Sequence, residues 1–160
     1  MFKWFRRTAH QTDPGPGLAE RPDYADAVKW IRKAAEKGTS WGQFNLGVSY
    51  GRGQGVPQDY AQAMEWFLKA AEQGEAKSQF NLGKMYEKGL GAVADPVEAY
   101  KWYHLAAGHG IPDAEKAREQ LRQSLLPEQI AEGQRRAASK VPEMTRDFLD
   151  KLLKPAKTTP

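Results

Sequence analysis

The chain has 160 residues, of which 28% are charged, and this length suits one domain with a buried core. No run of apolar residues exceeds four, far below the roughly 18 that a membrane span needs. The absence of cysteine excludes disulfides, thiolate zinc sites and a thiol nucleophile. The formal net charge is +4, yet residues 23–110 hold ten Lys/Arg and ten Asp/Glu, so the excess lies towards the two ends. Because a nucleic-acid partner needs basic charge gathered on the folded body, we expect none.

The first 22 residues begin with MFKWFRR and hold no apolar stretch of the roughly 7 to 15 residues that a secretory signal requires. We therefore expect a cytoplasmic protein. Gly15 and Gly17 lie 36 positions before Gly51 and Gly53, a spacing that recurs further along the chain, so residues 1–22 are predicted to form a degenerate capping helix. An alternative places the aromatic and basic side chains at the start of this segment on an anionic membrane surface.

A repeat of 36 residues organises the middle of the chain. Residues 39–74 align without gaps to residues 75–110, with 14 of 36 positions identical. Residues 23–38 match residues 59–74 at 10 of 16 positions, so the array begins with a half repeat. An internal repeat of this length indicates stacked helical units, because each unit buries its apolar face against the next.

The first half of each copy contains the pattern QFNLGxxY, which predicts a helix. Gly47 and Gly83 lie inside these helices, where glycine costs about 1 kcal/mol relative to alanine. Their recurrence therefore indicates close approach of a neighbouring helix. The glycines that follow, in GRGQG at residues 51–55, are predicted to form a turn. A phosphate loop is not expected, because the carboxylate of Asp59 would already occupy the N–H groups at the start of the next helix.

The second half of each copy predicts a helix that begins at an aspartate, Asp59 or Asp95. Three residues later stands Gln62 or Glu98, the spacing of a capping box. Alanine and tryptophan then recur at i, i+3 and i+7 on one face, and a glycine stands at the expected end. By this recurrence three tryptophans are predicted to lie in the core: Trp30, Trp66 and Trp102.

The recurring positions, in the order L-G-x-x-Y-x-x-G-x-G-x-x-x-D-x-x-x-A-x-x-W-x-x-x-A-A-x-x-G, resemble the Sel1-like repeat (SLR), a relative of the tetratricopeptide repeat. The resemblance covers residues 23–110 and implies an all-α fold, a right-handed α/α superhelical solenoid of antiparallel helix pairs with a 36-residue period. Residues 111–140 keep a helix-turn-helix rhythm with more polar residues and are predicted to be a capping helix pair. Residues 141–160 are predicted to form a short amphipathic helix and a disordered tail.

No arrangement of side chains indicates catalysis, and neither a cofactor nor a metal is expected. His104 and His109 are five positions apart, which does not place both rings on one face of a helix. His104 also stands where Leu68 stands one repeat earlier. No serine lies in a nucleophile elbow, and the carboxylates fall mostly at helix starts or on solvated faces. The chain is therefore not expected to be an enzyme.

The resemblance implies that the first helix of each pair lines the concave side of the solenoid. The positions of that helix that turn away from the core are predicted to bind a partner: Trp41, Asn45, Val48 and Arg52, and one repeat later Lys77, Asn81, Lys84 and Lys88. In the tetratricopeptide relatives, asparagine and basic residues at matching positions hold an extended peptide, and Asn45 and Asn81 stand where such an asparagine stands. An alternative is that both asparagines bond the neighbouring helix. Trp41 has Lys77 as its counterpart, so the repeat core does not demand an aromatic ring there, and an exposed tryptophan is typical of interface hot spots.

These features favour a non-catalytic adaptor or scaffold that binds a peptide or protein segment in the concave groove. One alternative is an immunity protein that neutralises a bacterial effector by direct binding, a role that some proteins of this family play. Another is a peripheral membrane-surface adaptor that uses the basic and aromatic N-terminus, although seven residues make a weak anchor and membrane contact is not expected. Short arrays also pair through their end helices, so a homodimer stays open as an alternative to a monomer.

Overall fold

The computed structural model describes residues 22–139, and within this range the chain forms seven α-helices and no strand. In chain order they are α1 (Pro22–Glu36), α2 (Ser40–Arg52), α3 (Tyr60–Glu72), α4 (Ala76–Lys88), α5 (Pro96–Gly108), α6 (Pro112–Arg122) and α7 (Pro127–Ala138). None of these described helices is long and apolar enough to cross a membrane. Apart from Pro22, the predicted N-terminal capping segment lies outside the described residues, as do the predicted C-terminal helix and tail.

The helices pack as a chain of neighbouring pairs. Each helix from α1 to α5 contacts the next, and α7 packs back against α5. The two full copies have the same helical bounds: α2 and α4 begin at Ser40 and Ala76, and α3 and α5 begin at Tyr60 and Pro96. The all-α solenoid of helix pairs predicted from the sequence is confirmed.

Aspartate side chains fix where the second helix of each copy begins. Asp59 accepts one backbone N–H hydrogen bond at 3.0 Å, and Asp95 accepts two at 3.0 Å. In the second copy the glutamate of the predicted capping box has other partners, because Glu98 binds Lys101 of its own helix and Arg136 of α7. The same carboxylate that was expected to cap α5 therefore ties α7 to it.

The glycines of the GRGQG turn have two separate roles. Gly53 ends α2 in the left-handed conformation, with φ +66°. Gly55 has φ +74°, and a Cβ there would lie 2.5 Å from the carbonyl oxygen of Tyr24 in α1. Gly91 makes the same approach to Tyr60 one repeat later, also at 2.5 Å. Each loop therefore rests on the start of the second helix of the preceding copy, and the predicted turn is confirmed.

The glycines inside the first helices let the two helices of a copy pack closely. A Cβ on Gly47 would lie 2.8 Å from ring carbons of Phe67, so α3 packs directly on the backbone of α2. A Cβ on Gly83 would lie 2.4 Å from the ring of Tyr103, which brings α5 equally close to α4. The close approach predicted from these recurring glycines is confirmed.

The three recurring tryptophans do not share one environment. Trp102 is 1% exposed and packs against buried side chains of α3 in the preceding copy and of α4 in its own copy. Trp66 is half-buried against the cluster that α1 and α2 form. Trp30 is 73% exposed, so the prediction that it lies in the core is wrong. Trp66 and Trp102 each pack on the two helices that come before their own helix. Among the described residues no helix precedes α1, so Trp30 has no such contact surface.

Candidate functional site

Helices α2 and α4, the first helices of the two full copies, together line two depressions. The aromatic depression is lined by Ser40, Trp41, Phe44, Asn45, Glu75 and Lys77. The basic depression is lined by Val48, Gly51, Arg52, Tyr60, Phe67, Asn81, Lys84, Met85, Lys88 and Leu90. We call the two depressions together the α2–α4 groove. All eight residues predicted to bind a partner lie in one depression or the other, while their role in binding stays a prediction.

Three cations give the basic depression its charge: Arg52, Lys84 and Lys88. The ammonium group of Lys84 lies 4.7 Å from the centroid of the Phe80 ring. Burial lowers the pKa of Lys84, the positive charges of Lys88 and Arg52 lower it further, and Asp113 of α6 raises it. Within residues 22–139, no carboxylate lies within 4.0 Å of the charged group of any of the three. These cations therefore repel one another without a directly bound counter-charge.

The two asparagines at equivalent places in the groove differ in their bonding. Asn45 donates from Nδ2 to the backbone carbonyl oxygen of Trp41, one turn earlier in its own helix, at 2.8 Å. Asn81 lines the basic depression and makes no side-chain hydrogen bond to any described residue. Neither asparagine bonds the neighbouring helix, which was the alternative to a role in binding. The half-buried amide of Asn81 has both a donor and an acceptor free, which is what pairing with a peptide backbone needs.

The aromatic depression presents apolar surface with little net charge. Trp41 is 62% exposed, while Phe44 is half-buried with its ring centroid 6.0 Å from that of Phe67. The carboxylate of Glu75 is engaged at the start of α4, where it accepts hydrogen bonds from the backbone N–H groups of the first turn. Lys77 is exposed at the edge. This depression is therefore suited to an apolar side chain rather than to an anion.

Sequence reasoning missed five residues that line the basic depression: Gly51, Tyr60, Phe67, Met85 and Leu90. Tyr60 is 38% exposed and belongs to α3, a second helix of the repeat. Its counterparts are Tyr24 in the half repeat and Pro96 in the second full copy, so the tyrosine does not recur in every copy. Leu90 lies in the loop after α4, which had been interpreted only as a connection. A stripe of positions drawn along one helix cannot find side chains that a loop or a different helix contributes.

The histidine of α5 lies away from the groove. His104 stacks on Tyr100 with ring centroids 6.1 Å apart and an angle of 16° between the ring planes. Burial lowers the pKa of His104, and the charge of Arg118 on α6 lowers it further. In the part of the chain that the structure describes, no three His, Asp or Glu side chains are grouped to hold a metal ion. His104 is therefore a half-buried ring beside Tyr100, with the charge of Arg118 on α6 nearby.

Comparison with known proteins adds the family to this geometry. The sequence model of the Sel1 repeat family matches residues 14–39, 42–75 and 76–111. The first match therefore starts upstream of the predicted half repeat. The crystal structure of a protective antigen present in uropathogenic Escherichia coli strains, which displays an SLR fold, is similar with a TM-score of 0.72 and 31% identity over 86% of this chain. A Sel1 repeat protein from Oxalobacter formigenes is similar with a TM-score of 0.55 and 41% identity over 56% of this chain.

The chain is short relative to both proteins. The matched regions cover 30% of the antigen and 37% of the Oxalobacter protein. No curated protein matches the chain. The three segments matched by the Sel1 repeat nevertheless include more than half of its residues. Together with the solenoid of helix pairs, they show that the chain belongs to the Sel1-repeat family.

Proposed function

We propose that the chain is a protein-interaction scaffold that holds an extended, acidic segment of another protein in the α2–α4 groove. Proteins with Sel1 repeats are typically non-catalytic interaction scaffolds. The observation that carries the proposal is the basic depression. Among the described residues, no carboxylate contacts Arg52, Lys84 or Lys88, and no group bonds the amide of Asn81. Carboxylates of a bound segment would supply the missing counter-charge, and its backbone would pair with the amide.

A structural role explains only part of this charge. Arg52 and Lys88 lie in the last turns of α2 and α4, where a basic side chain stabilises the helix dipole. Lys84 lies a turn earlier, is partly buried, and has two like charges nearby that lower its pKa. Holding an ammonium group in such a place costs free energy, and an anionic partner offsets that cost. Lys84 also contacts the Phe80 ring of its own helix, so partner binding supplies a further reason for a charge at this position beside that contact.

The test is a comparison of two charge reversals in a binding measurement. The tagged chain is used to capture partners from its native host, and each captured protein is then titrated against purified variants. Lys88→Glu reverses a charge in the groove, and Lys29→Glu reverses one on the exposed face of α1, where Lys29 pairs with Asp26. We expect Lys88→Glu to weaken binding about fivefold to tenfold, because an attraction is lost and a repulsion is gained.

Lys29→Glu serves as the matched control and should leave the affinity unchanged. Wild-type affinity should also fall as the salt concentration rises, since exposed charges are screened. Equal affinities for the wild type and both variants, with no dependence on salt, would show that the partner binds elsewhere.

A further inference from the structure

We infer that the segment held in the α2–α4 groove carries a large apolar side chain and, about four residues away from it, a pair of Asp or Glu side chains. The apolar side chain binds in the aromatic depression and the carboxylates bind in the basic depression. This inference rests on the proposed function. It adds the distance between two determinants of binding, the apolar side chain and the acidic pair, and this distance sets the specificity of the groove.

The chemistry of the two depressions assigns one determinant to each. The aromatic depression offers the exposed ring of Trp41, and its lining contains one cation, Lys77, and one carboxylate, that of Glu75. A second carboxylate there would be repelled by Glu75. The basic depression offers three cations with no carboxylate in contact among the described residues. An acidic pair is therefore favoured at that end of the groove and disfavoured at the other.

The repeat shows that this difference is not imposed by the fold. Position by position, Trp41 of the first copy aligns with Lys77 of the second, and Val48 aligns with Lys84. Each of the two sites therefore accepts either an apolar or a basic side chain without loss of the helix pair. This chain has an aromatic ring at one end of the groove and a cluster of cations at the other. The difference lies in residues of the groove surface rather than in those of the core.

Helix geometry sets the distance that the segment must span. The two depressions follow one another along α2 and α4, and a helix rises about 1.5 Å per residue. Seven positions separate Lys77 from Lys84, or about 10 Å, and eleven separate Trp41 from Arg52, or about 16 Å. An extended chain advances about 3.3 Å per residue and alternates its side chains between two faces. Three to five residues therefore span the distance, and a separation of four turns both determinants towards the groove.

Synthetic peptides test the spacing directly. Each peptide is acetylated, amidated and labelled, so that the only carboxylates are those of two glutamates in a glycine and serine background. One serine separates the two glutamates, so both face the same side of an extended chain. A phenylalanine is placed one, four or eight residues from the pair, in both sequence orders, and binding is followed by fluorescence anisotropy. We expect the better order of the four-residue peptide to bind at least about fivefold more tightly than either other spacing, since only it can fill both depressions.

Two variants borrowed from the repeat itself remove one determinant each. Trp41→Lys places in the first copy the residue that the second copy has there, and Lys84→Val does the converse. Because each residue already occurs at the equivalent place, both variants should fold, which far-UV circular dichroism checks. Trp41→Lys should abolish the advantage of the four-residue spacing, while Lys84→Val should weaken the binding of every acidic peptide.

The outcomes separate this inference from the proposed function. If Lys84→Val weakens binding but all spacings bind alike, the spacing is wrong and the acidic groove stands. A preference for four residues that survives Trp41→Lys would overturn the assignment of the aromatic depression. If no peptide binds, both proposals fail. Sedimentation velocity tests whether a second copy of the chain occupies the groove instead. A dimer that either variant dissociates would show that it does, and would likewise overturn the inference.

Discussion

Replacing Gly83 by alanine tests how closely α4 and α5 pack. The added Cβ would lie 2.4 Å and 2.5 Å from two ring carbons of Tyr103, whereas carbon atoms in contact are about 3.5–4.0 Å apart. The ring would have to retreat by about 1 Å. It is 1% exposed, and its hydroxyl donates a hydrogen bond to Glu87, so it has little room to move. Overpacking of this kind costs about 2–3 kcal/mol, of which alanine recovers about 1 kcal/mol through its helix propensity. We expect a net loss of about 1–2 kcal/mol in the free energy of unfolding.

Gly51→Ala is the matched control, because it makes the same substitution inside α2 with room for the methyl group. Its Cβ would lie 3.7 Å from the Cβ of Ala63, an ordinary contact. This variant should gain about 0.5–1 kcal/mol. Urea unfolding followed by far-UV circular dichroism measures both, and the two variants should differ by about 2 kcal/mol. If Gly83→Ala proves as stable as Gly51→Ala, the glycine is not required by the contact of α4 with α5.

Three further changes address a cap, a titrating group and the start of the array. Asp95→Ala removes the acceptor for two backbone N–H groups of α5 and should cost about 1 kcal/mol in urea titrations, whereas no loss would mean that solvent replaces the cap. Burial and Arg118 lower the pKa of His104 below 6.5 in the folded chain, so the unfolded chain takes up the proton first and stability falls as the pH drops below that value. His104→Leu introduces the residue found one repeat earlier and should reduce the loss of stability between pH about 7.5 and about 5.5, measured as the shift of the urea midpoint. An equal shift in the wild type and the variant would contradict a contribution from His104. If residues 1–22 cap the array, Trp30→Gln should lower the free energy of unfolding of the full chain by about 1–2 kcal/mol. The same substitution should have no effect once the residues before α1 are deleted, and equal losses in both chains would refute the capping role.

The elements that the sequence predicted correctly depend on local or repeated features. Helix starts follow from an aspartate that caps its own first turn, and Gly83 recurs because each copy contains the same contact between its two helices. That Lys84 lines the basic depression followed from the spacing of one helix face, while its role in binding stays a prediction. Each of these inferences uses information from within a single copy, and the periodic pattern carries that information in full.

The features that the sequence did not predict depend on what lies next to a copy. Trp30 has the same place in its helix as Trp102, yet one is 73% and the other 1% exposed, because only the second has a described helix pair before it. Glu98 was expected to complete a cap and instead binds Arg136, 38 positions along the chain. Tyr60 reaches the basic depression from a different helix. No pattern within one repeat encodes a neighbour, so such contacts need the assembled solenoid.

The seating of each loop on the preceding copy bears on how arrays of this family change in length. Gly55 rests on Tyr24 and Gly91 rests on Tyr60, so both junctions use the same pair of surfaces. A duplicate of residues 39–74 inserted after Gly74 would meet Tyr60 on one side and present its own copy of Tyr60 to Gly91 on the other. Such a duplication is a modular elongation that creates no new type of junction. It would also add a further helix with an exposed tryptophan to the groove, so the partner segment that the array accommodates would lengthen together with the array.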